Sequence, residues 1–143
     1  REKGPAHYYW YSNGKIWKKI WYLNNKKHRE NGPAIQEWYK NGQKMSENWY
    51  LNNKKHRENG PAIQEWYRNG QKEIEKWYLD GKLHREDGSA YQEWWHNGQI
   101  NHKYWCINGK YLPQEKFVDK LKEIGSPHYD EQRMLLNIKK YNL

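Results

Sequence analysis

The dozen residues HRENGPAIQEWY begin at His28 and recur unchanged at His56, and a relaxed copy, HREDGSAYQEWW, begins at His84. Segments starting at Arg1, Arg29, Arg57 and Arg85 align over nearly their whole length. Four columns run through all of them: Gly4, Gly32, Gly60 and Gly88; Ala6, Ala34, Ala62 and Ala90; Trp10, Trp38, Trp66 and Trp94; Trp21, Trp49, Trp77 and Trp105. A fixed period of 28 residues means one supersecondary unit per repeat, each burying its apolar surface against its neighbours. The fold has to be an array.

Turn chemistry says what the unit is. Asn13-Gly14, Asn41-Gly42, Asn69-Gly70 and Asn97-Gly98 sit between runs rich in Trp, Tyr and Ile. Asn-Gly in that setting signals a hairpin with a two-residue type I′ turn, which needs positive φ at both central residues. A second turn follows at Asn24-Asn25, Asn52-Asn53, Asp80-Gly81 and Asn108-Gly109, and a third at Asn31-Gly32, Asn59-Gly60 and Asp87-Gly88. In the second unit this leaves two useful strands, about residues 34–40 and 43–51. Three antiparallel strands per unit would invert alternate repeats, so HRENGP reads as a shaped connector. Each unit is then one hairpin plus one connector.

A two-residue loop sets residue 40 opposite 43, 38 opposite 45 and 34 opposite 49. Side chains alternate along a strand, so Ala34, Gln36 and Trp38 share a face with Met45, Glu47, Trp49 and Leu51. The other face carries Ile35, Glu37 and Tyr39 with Lys44, Ser46, Asn48 and Tyr50. The Trp side is expected to be the core and the Tyr side to be half-wet. Only 35% of the residues are hydrophobic, but the chain has ten Trp and thirteen Tyr against one Phe. Large rings therefore supply most of the burial, which argues against disorder.

After Leu112 the register breaks. Pro113 suits a first helical turn, Gly125 suits a C-terminal cap, and Phe117, Leu121 and Ile124 recur at helical spacing. A second helix is expected over about residues 129–140, with Met134, Leu135 and Ile138 apolar. Arrays need their terminal edge covered, so the helices are expected to cap it, with docking of a partner as the other role. The sequence thus predicts a mainly β chain, an antiparallel β-hairpin meander or solenoid of about four units (about 1–28, 29–56, 57–84 and 85–111). A two-helix C-terminal cap follows over 112–143.

Runs such as NGQKMSENWYLNNKK and NGQKEIEKWYLDGKLHREDG resemble MORN-type repeats, especially the variants in bacterial YwqK-like antitoxin proteins. The LDGKLHREDGSA run is similar to repeats of phage and giant-virus proteins. The resemblance covers roughly residues 1–111. It implies a meandering hairpin sheet used for protein or lipid contact, without enzymatic activity. The unit here is longer than a usual MORN repeat, and HRENGPA is an added connector. Trp-Tyr runs near Asn-Gly are also similar to choline- and glucan-binding cell-wall repeats. Those grip a quaternary ammonium by cation–π contact, which the flanking Lys residues here would oppose.

The His column, His28, His56 and His84, invites a metal reading. Neighbouring units lie about 9–10 Å apart, far beyond the reach of ligands held at about 2.0–2.1 Å from one zinc. No metal site and no cofactor are expected. The ladder His28, Arg29, Glu30, His56, Arg57, Glu58, His84, Arg85 and Glu86 is read as structural, Arg supplying a rigid fork of donors to fix each connector. A phosphate-binding row is the other reading of those Arg residues. No single asymmetric nucleophile–base–acid set occurs, so the chain is expected not to be an enzyme.

The expected binding face is the Tyr side: Tyr11, Tyr39, Tyr67 and Trp95 in one column, Tyr22, Tyr50 and Tyr78 in another, with Lys40, Lys44, Arg68 and Lys72 beside them. Tyr, Trp and Arg are enriched at protein interfaces, so a protein partner is the first expectation. The same rows, with a net charge of +9, could instead hold single-stranded nucleic acid, a nucleotide or acidic lipid. No run is long and apolar enough to span a membrane and no signal peptide is visible. The chain does start in mid-pattern. Lone Cys106 points to a reducing, cytoplasmic setting, and the resemblance implies a bacterial cell or a virus-infected host cell.

Overall fold

The computed structural model describes residues 4–142; the first three positions of the first unit, and Leu143, lie outside the described residues. The first unit forms β1 (His7–Trp10), β2 (Ile16–Ile20), β3 (Tyr22–Leu23) and β4 (Lys26–Lys27). The second forms β5 (Ile35–Trp38), β6 (Lys44–Asn48), β7 (Tyr50–Leu51) and β8 (Lys54–Lys55). The third repeats this as β9 (Ile63–Trp66), β10 (Lys72–Lys76), β11 (Tyr78–Leu79) and β12 (Lys82–Leu83). The fourth forms β13 (Tyr91–Trp94), a long β14 (Ile100–Ile107) and β15 (Lys110–Leu112). One nine-stranded antiparallel sheet runs in the order β1-β2-β5-β6-β9-β10-β13-β14-β15. The pairs β3-β4, β7-β8 and β11-β12 are separate ribbons.

Those ribbons correct the plain connector. Tyr50 pairs with Lys55 and Leu51 with Lys54, closed by Asn52 and Asn53 at φ +50° and +67°. The type I′ geometry therefore sits at the second turn. The Asn-Gly turn is a three-residue loop instead: Tyr39 N–H donates to the Gln43 carbonyl and Gly42 N–H to the Tyr39 carbonyl. Only Gly42 of that loop has positive φ, +88°, the position that ends a three-residue hairpin loop of this kind.

The register matches the expected one below the loop: Glu37 opposes Ser46, Gln36 opposes Glu47 and Ile35 opposes Asn48. Beside the loop Trp38 opposes Lys44, leaving Met45 as a bulged extra residue. Trp17, Glu73 and Asn101 take the same place in the other units. A bulge reverses the alternation locally. Lys44 and Lys72 therefore join the Trp face, contrary to the sequence assignment.

The burial pattern also differs from a Trp core. Trp38, Trp66 and Trp94 are half-buried, as are Tyr39 and Tyr67. The sheet residues with least exposure are mostly small or aliphatic, Ala34, Ala62, Ala90, Ile35 and Ile63, and Trp21 is the one buried tryptophan among the described residues. A one-layer sheet has no opposing layer to cover the rings on its open faces, so the dry line runs where the connector folds back on the strands, and there Trp21 is buried beneath Arg29. The Gly column explains how closely it does so. A Cβ on Gly60 would stand 2.7 Å from Arg57 Cζ. That guanidinium in turn lies 4.1 Å from the centre of the Trp49 ring and donates to the Pro61 carbonyl at 3.1 Å.

Helices α1 (Gln114–Glu123) and α2 (Tyr129–Tyr141) close the C-terminal end. Phe117, Val118 and Leu121 pack with Ile107 against Trp105, Leu112, Tyr129 and Leu136. Ser126 donates to Glu86, and Gln132 to the Asp87 carbonyl, pinning the cap to the last connector. Gly125, at φ +67°, follows α1 as its C-terminal residue chemistry requires. Ile124, Met134, Leu135 and Ile138, read as apolar stripe residues, are exposed.

Candidate binding surfaces

Successive units are joined by a set of bonds that repeats with the sequence. The hydroxyls of Tyr11, Tyr39 and Tyr67 donate to the carbonyls of Trp38, Trp66 and Trp94 in the next unit, each at 2.8 Å. The backbone N–H groups of Trp21, Trp49 and Trp77 donate to the carbonyls of Ala34, Ala62 and Ala90. The first tyrosine column thus has its polar ends committed to the array, which leaves ring faces for any partner. Trp95, the fourth member, has no hydroxyl and is 53% exposed.

The second column sits on the ribbons. Tyr22 is exposed, while Tyr50 and Tyr78 are half-buried beneath Lys27 and Lys55 at 5.3 and 5.0 Å. These two lysines were not among the residues the sequence singled out; each pairs across its own ribbon with Tyr22 or Tyr50 and reaches over the tyrosine of the next ribbon, a contact that appears only once the ribbons exist. Lys40 and Arg68 are exposed beside the loops, Arg68 lying 5.7 Å from the Tyr39 ring. On the opposite face Lys44 covers Trp66 and Lys72 covers Trp94. Both are ion-paired, Lys44 to Glu47 at 2.5 Å and Lys72 to Glu75.

Charge on the Tyr face is less basic than the sequence suggests. Burial would raise the Glu37 pKa, but Lys18 at 2.8 Å and the Ser46 hydroxyl overcome that and hold it low. In the next unit Ser46 stands in the place of Lys18 and Ile74 in the place of Ser46, so Glu65 faces a hydroxyl and an aliphatic side chain where Glu37 faces Lys18 and Ser46. Burial and repulsion from Glu65 and Glu93 push the Glu73 carboxyl up, against a weaker pull from His96. Tyr39 and Tyr67 are pushed up too, by partial burial and by the nearby Glu73 charge. Tyr91 goes furthest, to about 12, through burial and the hydrogen bond it gives Glu93. The centre of this face is therefore a carboxylate cluster between aromatic rings.

The His–Arg–Glu ladder holds connectors together. Asn52, Asp80 and Asn108 amides donate to Nδ1 of His28, His56 and His84 at 3.2, 3.0 and 3.0 Å. An Nδ1 acceptor places the ring proton on Nε2, where His84 meets Glu86 at 3.3 Å and where Glu30 and Glu58 stand 3.8 and 3.9 Å from His28 and His56. The guanidinium carbons of Arg29, Arg57 and Arg85 lie over the Trp21, Trp49 and Trp77 rings at 4.0, 4.1 and 3.8 Å. Between successive connectors run two related grooves of about 650 and 510 Å³. Trp49 lines the first and Trp77 the second, and each indole N–H is buried without an acceptor among the described residues. The described residues contain no group of three His, Cys, Asp or Glu placed to hold a metal ion, and no helix long and apolar enough to cross a membrane.

No protein-family model, curated protein or solved structure matches the chain.

Proposed function

We propose that the chain is a non-catalytic repeat module of MORN-like type that binds a partner protein through the aromatic rows of its sheet. The observation that supports this reading is the single layer. Nine strands form one sheet, and rows of half-buried rings recur every 28 residues, beginning with Tyr11 and ending in exposed Trp95. The His, Arg and Glu of the connector recur as columns, whereas catalysis needs one asymmetric set. A reducing cytoplasm, bacterial or of a virus-infected cell, fits the free, buried Cys106.

A second reading, an anionic ligand, is favoured by the connector grooves, where Trp49 and Trp77 indole N–H groups lie unpaired beside Arg57 and Arg85. One experiment separates them. A variant carrying Trp95→Ala, Lys40→Ala and Arg68→Ala keeps its fold, because all three side chains are exposed. It is compared with the unaltered chain for capture of the host partner at two salt concentrations. A protein interface loses binding in the variant and depends weakly on salt, while phosphate binding falls steeply with salt and ignores the variant.

A further inference from the structure

Each internal junction of the array has a giving and a receiving side. The giving unit supplies a Tyr hydroxyl and a Trp N–H along the strands, and a His Nδ1 and a backbone carbonyl on the ribbon. In the junction between the second and third units these are Tyr39 to the Trp66 carbonyl, Trp49 N–H to the Ala62 carbonyl, His56 Nδ1 from the Asp80 amide, and the Lys55 carbonyl from the Gly81 amide. The first unit presents the receiving half. Among the described residues nothing donates to the carbonyls of Trp10 and Ala6, and nothing accepts from the amides of Asn24 and Asn25. Around those groups Tyr8, Tyr9, Trp10, Tyr22 and Leu23 form one exposed apolar end, with Trp10 57% exposed.

Edge strands that stay in water are usually blunted by charge or proline. β1 does the reverse. It reads His-Tyr-Tyr-Trp where β5 and β9 read Ile-Gln-Glu-Trp, so the Gln and Glu positions of the internal strands are both tyrosine at the edge. The opposite end of the array does not offer the matching half, because Trp95 lacks a hydroxyl and the helices are pinned across the last connector. Head-to-tail stacking of identical chains is therefore closed off.

We propose that the β1 edge, with the first ribbon, is a docking surface for a further hairpin unit of the same 28-residue pattern. The three internal junctions specify the occupant: an antiparallel strand that delivers Trp N–H to Ala6, Tyr hydroxyl to Trp10, and His Nδ1 and a carbonyl to Asn24 and Asn25. Backbone pairing gives such strand addition its affinity, and side chains select the register. This surface is the β1 end of the array rather than its sheet face, and it shares Tyr22 with the second tyrosine column.

The test uses a synthetic peptide of residues 34–56, which carries Tyr39, Trp49, Lys55 and His56, added to the full chain. Saturable one-to-one binding is expected, with slowed hydrogen exchange at the Asn24 and Asn25 amides. Trp10→Ala in the chain should weaken binding at least about tenfold, as an exposed aromatic anchor does. Tyr39→Phe in the peptide should weaken it about fivefold, one hydrogen bond's worth. Because an isolated hairpin is only marginally stable, a second arm places a copy of residues 29–56 in phase ahead of Arg1. That chain should melt higher and protect the same two amides. A flat binding curve together with unprotected Asn24 and Asn25 in the extended chain overturns the proposal, and so does peptide binding indifferent to Trp10→Ala.

Discussion

Arg57 and Gly60 form a pair whose energetics can be worked out before measurement. The Arg57 guanidinium is held between the Trp49 ring at 4.1 Å and the space where a Gly60 side chain would be, and it donates to the Pro61 carbonyl at 3.1 Å. Arg57→Ala removes a partly desolvated cation–π contact, worth about 0.5–2 kcal/mol, and a charged hydrogen bond worth about 1.5–3 kcal/mol. The expected loss is about 2–5 kcal/mol. Gly60→Ala sets a Cβ 2.7 Å from Arg57 Cζ, and forcing the guanidinium off the indole should cost about 1–3 kcal/mol as overpacking. The informative quantity is the coupling. With Arg57 already truncated, the three atoms nearest that Cβ have gone, so Gly60→Ala should become much cheaper. Urea unfolding of both single variants and the double variant gives the interaction energy directly. If Gly60→Ala costs the same with and without Arg57, the glycine column serves backbone conformation and the sandwich argument is wrong.

Four further outcomes are expected. Tyr39→Phe deletes the bond to the Trp66 carbonyl and should cost about 1 kcal/mol, while Trp95→Ala should be close to neutral; thermal melts check both. His56→Ala leaves the Asp80 amide without its acceptor and should cost about 1–2 kcal/mol, whereas stoichiometric zinc should not raise the melting temperature, and a sharp shift abolished by changing His56 would refute the geometric argument. Tyr91 has a folded pKa raised from 10.0 to about 12, so its contribution is complete below pH 10 and lost as pH climbs toward 12; tyrosinate absorbance should show one late-titrating group that Tyr91→Phe removes. Glu37 has a folded pKa held below 4.5, so its contribution is present above that pH and fades as pH falls through the lowered value; Glu37→Gln should flatten that acid limb of the stability curve.

The array, its period and most of its register were legible because hairpin pairing follows from turn positions, and the repeats fix the turns four times over. Turn types were not. Asn13-Gly14 and Asn52-Asn53 are both good turn pairs, and only the strand pairing shows which loop holds three residues and which holds two. The bulge had no residue signature, since Trp17, Met45, Glu73 and Asn101 share no chemistry, yet it decides which face Lys44 and Lys72 occupy. The tyrosine column stood out at once, but its hydroxyls reach across to the next unit rather than along their own strand, so their commitment to Trp38, Trp66 and Trp94 depended on three-dimensional offset. The carboxylate cluster was hidden for a related reason: Glu65 has an equivalent in Glu37, but the place that Lys18 takes opposite Glu37 is taken by Ser46 opposite Glu65.

The proposed interface is tested most directly by oxidative footprinting of the chain with and without its captured partner. Tyr39, Tyr67 and Trp95 should lose reactivity together on binding, while Met134 and Tyr141, exposed on the cap helix, should keep theirs. Protection of Met134 and Tyr141 with the sheet rings still reactive would contradict the account and move the interface to the helices.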